Sequence, residues 1–314
     1  MLNLIRNENM KLYRRPRTWI MFGIVLGLYA FVMLMMHFFT NETMTDNWRD
    51  RYEQDRQHLS ETLNANGASP GNEQLTQELM KIEYALEHDI PPVHATMWSG
   101  VMDSTGFIIL VTIMTVVVAG DIVASEFTWG TIKMLLIRPA SRAKILLSKY
   151  LASFLFALLL LLALLSFSIV LNGILTGFSG FGQPMLTVND AGDKVEEVSL
   201  LGNVLKAYAL STVELIMFVT MSFMISSVFR SSALAIALSI VALLLGYLVT
   251  LNLAMYFDWA KYLLFANTDL TQHLEGRPLI EGMTMTFSIA MLAIYFAAFN
   301  FFSWLFFTKR DVAS

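Results

Sequence analysis

Six long apolar runs, set apart by polar segments, dominate the chain. They extend approximately from Thr18 to Phe39, Gly106 to Ala124, Tyr150 to Asn172, Ala207 to Phe229, Ala233 to Leu253 and Thr284 to Phe307. A helix needs about 20 apolar residues to cross roughly 30 Å of hydrocarbon, and these runs have that length. They lack the alternation of barrel strands, and unpaired backbone is not tolerated against lipid. The pattern therefore predicts an all-α membrane protein with six transmembrane helices.

The polar segments carry weaker patterns. Between the first two runs, residues 40–100 place Trp48, Tyr52, Leu59 and Leu63, then Leu75, Leu79, Ile82 and Leu86, at helical spacing around the turn cluster Asn66-Gly-Ala-Ser-Pro-Gly71. A helical hairpin ended by Pro91-Pro92 is expected there, serving as a stalk or lid or as a device for ligand capture. Val188-Asn-Asp-Ala-Gly-Asp-Lys-Val195 predicts a small β-hairpin around a Gly turn. Residues 254–283 combine Tyr256, Phe257, Trp259, Tyr262, Leu263 and Phe265 with Asp258 and Lys261, a headgroup-level composition that predicts a short interfacial or re-entrant helix. Leu2, Ile5, Leu12 and Tyr13 among basic and polar neighbours fit an interfacial helix over residues 1–17, with a flexible basic leader as the alternative.

Composition agrees with the bilayer reading, since 56% of residues are hydrophobic and 15% charged. Most of the 21 basic residues fall in short segments on one side of the predicted spans. They are Arg6, Lys11, Arg14, Arg15 and Arg17 at the start, Lys133, Arg138, Arg142, Lys144 and Lys149 between spans two and three, Arg230 between four and five, and Lys309 and Arg310 at the end. The positive-inside rule puts that side, and both termini, in the cytoplasm. The acidic residues of 40–100, including Glu42, Asp46, Asp50 and Glu53, then face outward and account for most of the net charge of −4. Thr40-Asn-Glu-Thr after the first run offers no small-residue cleavage pattern, so that run is expected to stay as an anchor. With no cysteine in the sequence, disulfides and thiolate metal sites are excluded.

No Gly-x-x-x-x-Gly-Lys-Ser/Thr segment exists to cradle nucleotide phosphates, so any ATP used by this protein is bound by another chain. His37, His58, His88, His94 and His273 are scattered without a His-Glu-x-x-His helix, and the serines lack a Gly-x-Ser-x-Gly setting. Catalysis, a metal and a nucleic-acid partner are not expected. Glu214 is the clearest intramembrane ionisable group. It marks a polar transport pathway, or is a protonated Glu bonded to a hydroxyl such as Ser211. Asp121 and Asp103 sit near the ends of the second span and read as structural and interfacial. Gly23 and Gly27 in the first span, and Ser231, Ala235 and Ser239 entering the fifth, have the four-residue spacing of helix contact faces, within one chain or between two.

The segment between spans two and three, residues 125–148, differs in kind. It holds Glu126, Gly130, Thr131, Lys133, Leu135, Leu136, Arg138, Pro139 and Arg142, with Phe127, Trp129 and Ile132 as further apolar positions that would seek an apolar surface. Thr131 to Arg138 has helical composition, Gly130 permits a bend at its start and Pro139 stops it. An ordinary amphipathic loop helix that shields the bundle has the same pattern. The order Glu-x-x-x-Gly-Thr-x-x-x-Leu-Leu-x-x-Pro-x-x-Arg resembles that of permease subunits of the ABC-2 type, and six spans with a basic interfacial start extend the resemblance over nearly the whole chain.

That resemblance implies a single ABC-2 transmembrane domain over residues 1–314, with 40–100 as an exterior helical insertion. It also implies that 125–148 is a coupling segment touching a separate ABC ATP-binding subunit, which would hold ATP and magnesium. A second permease subunit, identical or similar, is expected beside this one in a bacterial plasma membrane, and the pair would export a cargo. Two rivals come from other classes. An ion-coupled carrier predicts paired intramembrane carboxylates and a repeat in two halves. A membrane sensor or receptor would bind its ligand through the exterior hairpin.

Overall fold

The computed structural model describes residues 1–40, 48–66, 72–90, 96–132, 140–178, 181–182, 184–189, 194–229, 231–273, 278–280 and 282–309. Among these residues, six helices are long and apolar enough to cross a membrane, and the chain is a multi-pass, all-helical membrane protein apart from one strand pair.

The first helix, α1 (Leu2–Tyr13), precedes α2 (Pro16–Thr40), the first span. Two polar helices follow, α3 (Trp48–Asn66) and α4 (Asn72–Glu87), which pack on each other. The second span begins at Met97, earlier than the apolar run suggests. There α5 (Met97–Asp103) and a 3-10 turn (Ser104–Phe107) run on into α6 (Ile108–Asp121). Thr96 starts α5 by accepting the Ser99 amide, a side-chain cap that hydropathy does not register.

After a break at Ile122 and Val123 comes the short α7 (Ala124–Thr128). The third span, α8 (Arg142–Thr176), is about 52 Å long at 1.5 Å per residue and overshoots the hydrocarbon. Its extra turns lie at the basic end, where Ser141 caps it. Strands β1 (Pro184–Val188) and β2 (Val195–Ser199) pair antiparallel with Val188 opposite Val195, as the sequence predicts. Tyr84 of α4 donates its hydroxyl to Glu197 of β2 at 3.1 Å.

Ser199 and Ser231 cap α9 (Leu200–Val228) and α10 (Ser232–Ala254), the fourth and fifth spans. The predicted helix in 254–283 is broken into a 3-10 turn (Asp258–Tyr262), α11 (Leu264–Asn267) and a second 3-10 turn (Thr271–His273) before α12 (Met285–Lys309) closes the chain.

Helix α9 is the centre of the bundle: 56% of its most apolar window is buried, against 11% for α12. It packs on α6, α8, α10 and α12. Gly120 of α6 faces Ser222 of α9 and the backbone of Ala235 and Ile236, so the expected small-residue face of α10 is used within the chain. Ser222 donates to Ser239 across that contact at 2.9 Å. The other small pair behaves differently. A Cβ added to Gly23 or Gly27 would meet nothing within 4 Å, and both lie on the exposed side of α2.

A buried polar chain joins α2, α5, α8 and α9. Tyr29 donates to the Gly100 carbonyl at 3.0 Å, Asn172 donates to the Tyr29 hydroxyl at 2.6 Å, and Ser104 bonds Tyr208 at 2.5 Å. Such bonds orient helices in lipid, where apolar burial does not distinguish a neighbour from a lipid tail.

Candidate functional site

The interruption of α6 builds the site. Where the helix stops, the Val123 and Ala124 amides lose their intrahelical partners, and Ser226 Oγ of α9 accepts both at 3.2 and 3.0 Å. Helix α7 then turns Glu126 inward. Lys149, about one turn past Ile145 on α8, reaches Glu126 Oε1 at 2.8 Å and Glu8 Oε2 of α1 at 2.8 Å. Lys11 closes the group at 3.1 Å from Glu8 and 3.3 Å from Glu126.

Two carboxylates and two ammonium groups balance in charge. Lys149, Glu8 and Glu126 are only 1%, 6% and 8% exposed. Burial alone would raise the Glu126 carboxyl, but the Lys149 charge and hydrogen bond, with help from Thr131 and Lys11, hold it at about 2. Glu8 is lowered in the same way: burial opposes, and Lys149 and then Lys11 outweigh it. The gap inside the cluster is about 10 Å³, so the ions touch one another and leave room for no ligand.

A second node lies beside the first. Asp121, at the end of α6, accepts from Arg15 at 3.3 Å, from Arg17 and from Ser232 of α10. Arg15 also lies over the Trp129 ring, 4.8 Å from its centroid. Thr128 Oγ1 accepts the Ser232 amide at 3.1 Å. Together the two nodes tie the stretch from Asp121 to Thr131 into α1, α8, α9 and α10.

The structure brings together part of the predicted coupling set. Gly130 has φ +68°, a left-handed turn that folds the Thr131 hydroxyl back onto Glu126. Arg142 lies apart from that pair, donating to the Thr308 carbonyl of α12 at 3.1 Å. Lys133, Leu135, Leu136, Arg138 and Pro139 lie outside the described residues, as do Arg230, His94 and Pro91-Pro92. Glu126 is buried against its own bundle, and Ile132, expected to seek an apolar surface, is in the core. Trp129 is the exposed aromatic of the connector, at 58%.

Sequence reasoning passed over Glu8 and counted Lys149 with the connector pattern without naming its ion-pair partners. The signal for Glu8 was its place four residues before Leu12, on the same face of α1. That face reads as apolar with one acid in it, and an acid there requires a base across the interface.

Glu214 lies elsewhere, on the wall of a cavity of about 840 Å³ bounded by α6, α9, α10 and residues 268–271. Ser211 lines the same cavity, and the described hydrogen bonds include none between the two. A smaller cavity of about 390 Å³ is framed by Tyr52, Glu78 and Ile82 of α3 and α4 with Met102 and Met185.

Comparison with known proteins adds the family. The family model described as "protein of unknown function (DUF2705)" matches residues 69–313, well over half of the chain. The chain belongs to the DUF2705 family. It is 42% identical over 316 residues to the "uncharacterized protein YhcI" of Bacillus subtilis (strain 168), with 100% of each chain covered. It is 36% identical over 207 residues to the "uncharacterized membrane protein YdbK" of the same organism, covering 65% of this chain and 78% of that one. In this DUF2705 chain the family match takes in Asp121, Glu126 and Lys149 but starts after Glu8 and Lys11.

Proposed function

We propose that this chain is the permease subunit of an ATP-driven ABC exporter in a bacterial plasma membrane. ATP and magnesium are held by a separate ATP-binding subunit, and a second permease subunit completes the route. Helices α3 and α4 then lie outside the cell, and the two ion nodes face the cytoplasm.

The observation that carries this reading is the buried contact of Lys149 with both Glu126 and Glu8. A partner that pushes on the connector beside Trp129 acts through ion pairs on α1 and α8, and through Ser226 and Ser232 on α9 and α10. Interlocked contacts of that kind move as a rigid body, which is what alternating access requires. Glu126 is then a positioning residue, and Trp129 is the contact.

The test is reconstitution in lipid vesicles with the ATP-binding subunit that this reading expects to be encoded beside this chain. Expected are no ATP hydrolysis by the pure chain, stimulation of the subunit's hydrolysis by the chain, and loss of stimulation in Trp129→Ala with stability unchanged. Stoichiometric hydrolysis by the chain alone, or a neighbouring subunit indifferent to it, overturns the reading.

A further inference from the structure

The 840 Å³ cavity has the size of a ligand site and, among the described residues, acids with no basic neighbour in its wall. About 18 Å of α9 separates Glu214 from Ser226, so the cavity is distinct from the ion nodes. Its walls are mainly apolar, from Ile109, Phe218, Leu243 and Tyr247, yet Glu214 and Asp269 both open into it. None of the described lining residues is basic. Lys206, two turns earlier on α9, is exposed and does not line the cavity.

Among the described residues, none hydrogen-bonds or ion-pairs with Glu214, although its side chain is half-buried. The part that stays accessible is cavity wall. An acidic side chain at this depth costs about 2.5–3.5 kcal/mol to insert, and the ion nodes show how this protein balances its other buried acids. Among the described residues Glu214 has no such partner.

We propose that this cavity binds a lipophilic organic cation, with a positive group between Glu214 and Asp269 and an apolar body against Phe218 and Leu243. Entry is from the bilayer. Leu244, Leu245 and Leu248 form the rim on α10, and they are 48%, 52% and 52% exposed. An amphiphile already dissolved in lipid meets that rim without crossing water. An inorganic cation would leave most of the apolar volume empty, so size and wall chemistry favour the organic one. As a statement about cargo this rests on the export reading; as a statement about binding it does not.

The test is equilibrium binding to the purified full chain in lipid nanodiscs. Radiolabelled tetraphenylphosphonium is compared with tetraphenylborate, an anion of matched size and shape. Saturable binding of the cation alone is expected, weakened at least tenfold in Glu214→Gln and more modestly in Asp269→Asn. Excess potassium at constant ionic strength is expected to leave it in place. Thermal unfolding of each variant checks the fold, and Asp269→Asn carries the comparison if Glu214→Gln does not fold.

Absence of saturable cation binding, equal binding of both ions, affinity unchanged by folded variants, or displacement by potassium overturns the proposal. Cation binding without any stimulated ATP-binding subunit leaves the site standing and removes the exporter. Stimulation without cation binding does the reverse.

Discussion

Lys149 is bonded to Glu126 at 2.8 Å and is itself 1% exposed, so an ammonium group that would normally reach water is held inside the bundle. The contact joins the start of the third span to the connector that follows the second. Glu8 takes another of the three Lys149 donors, which adds the N-terminal helix to the same junction.

Removing Lys149 tests how far the junction depends on balance. Lys149→Met leaves Glu8 and Glu126 facing each other with Lys11 alone, and breaking a buried pair from one side costs about 3–5 kcal/mol. The triple change Glu8→Gln, Glu126→Gln, Lys149→Met removes the charges together and is expected to lose much less. Thermal unfolding in mild detergent reads both. A single variant as stable as the wild type, or a triple variant worse than the single one, contradicts the account.

The same cluster sets an acid limit. An unfolded Glu titrates near 4.5, and Glu126 titrates at about 2 in the folded chain, with Glu8 lowered as well. A lowered folded pKa means that the unfolded chain takes up protons first as pH falls. The stabilisation is therefore complete above about 4.5 and fades as pH drops toward about 2. Melting temperature is expected to fall across that window, and Glu126→Gln is expected to flatten the fall. A Glu126→Gln curve parallel to the wild type would show that other groups set the limit.

The spans were legible because each is a continuous apolar run, and composition alone carries that signal. Their ends were less so. Met97 begins the second span because Thr96 caps it, and α8 reaches back to Arg142 because Ser141 does, effects of one hydroxyl that a hydropathy window averages away. The motif around Glu126 stood out in the sequence, but its meaning depended on Glu8, which is 118 positions away and visible only once α1 and α7 meet. Glu214 was visible as an acid in an apolar run. The cavity it faces was not, because Thr268 and Asp269 reach it from a connector with no span-like pattern.

Gly130 isolates the role of the backbone in the connector. Its φ is +68°, and a Cβ placed there would meet nothing within 4 Å, so Gly130→Ala carries strain without a clash. The expected loss is about 1–2 kcal/mol, with a smaller loss for Gly130→Asn because Asn tolerates left-handed backbone. Denaturant unfolding of the two variants in one detergent gives the comparison. Equal losses for Ala and Asn would point to something other than φ.

Topology is open to a direct chemical test, because the chain has no cysteine to remove. Gln57 on α3 and Ala143 on α8 are both exposed, and the Met97–Asp121 helix lies between them in sequence. If that helix crosses the membrane, Gln57→Cys and Ala143→Cys must lie on opposite sides whichever way the protein points. The clustering of Arg and Lys with Ala143 then sets the direction, since basic loops stay inside. A membrane-impermeant maleimide applied to intact cells is expected to label Gln57→Cys, and to label Ala143→Cys only after permeabilisation. Labelling of both in intact cells removes the second span. Labelling of Ala143→Cys alone keeps the bundle but turns the Glu126 junction outward, away from any cytoplasmic ATP-binding subunit.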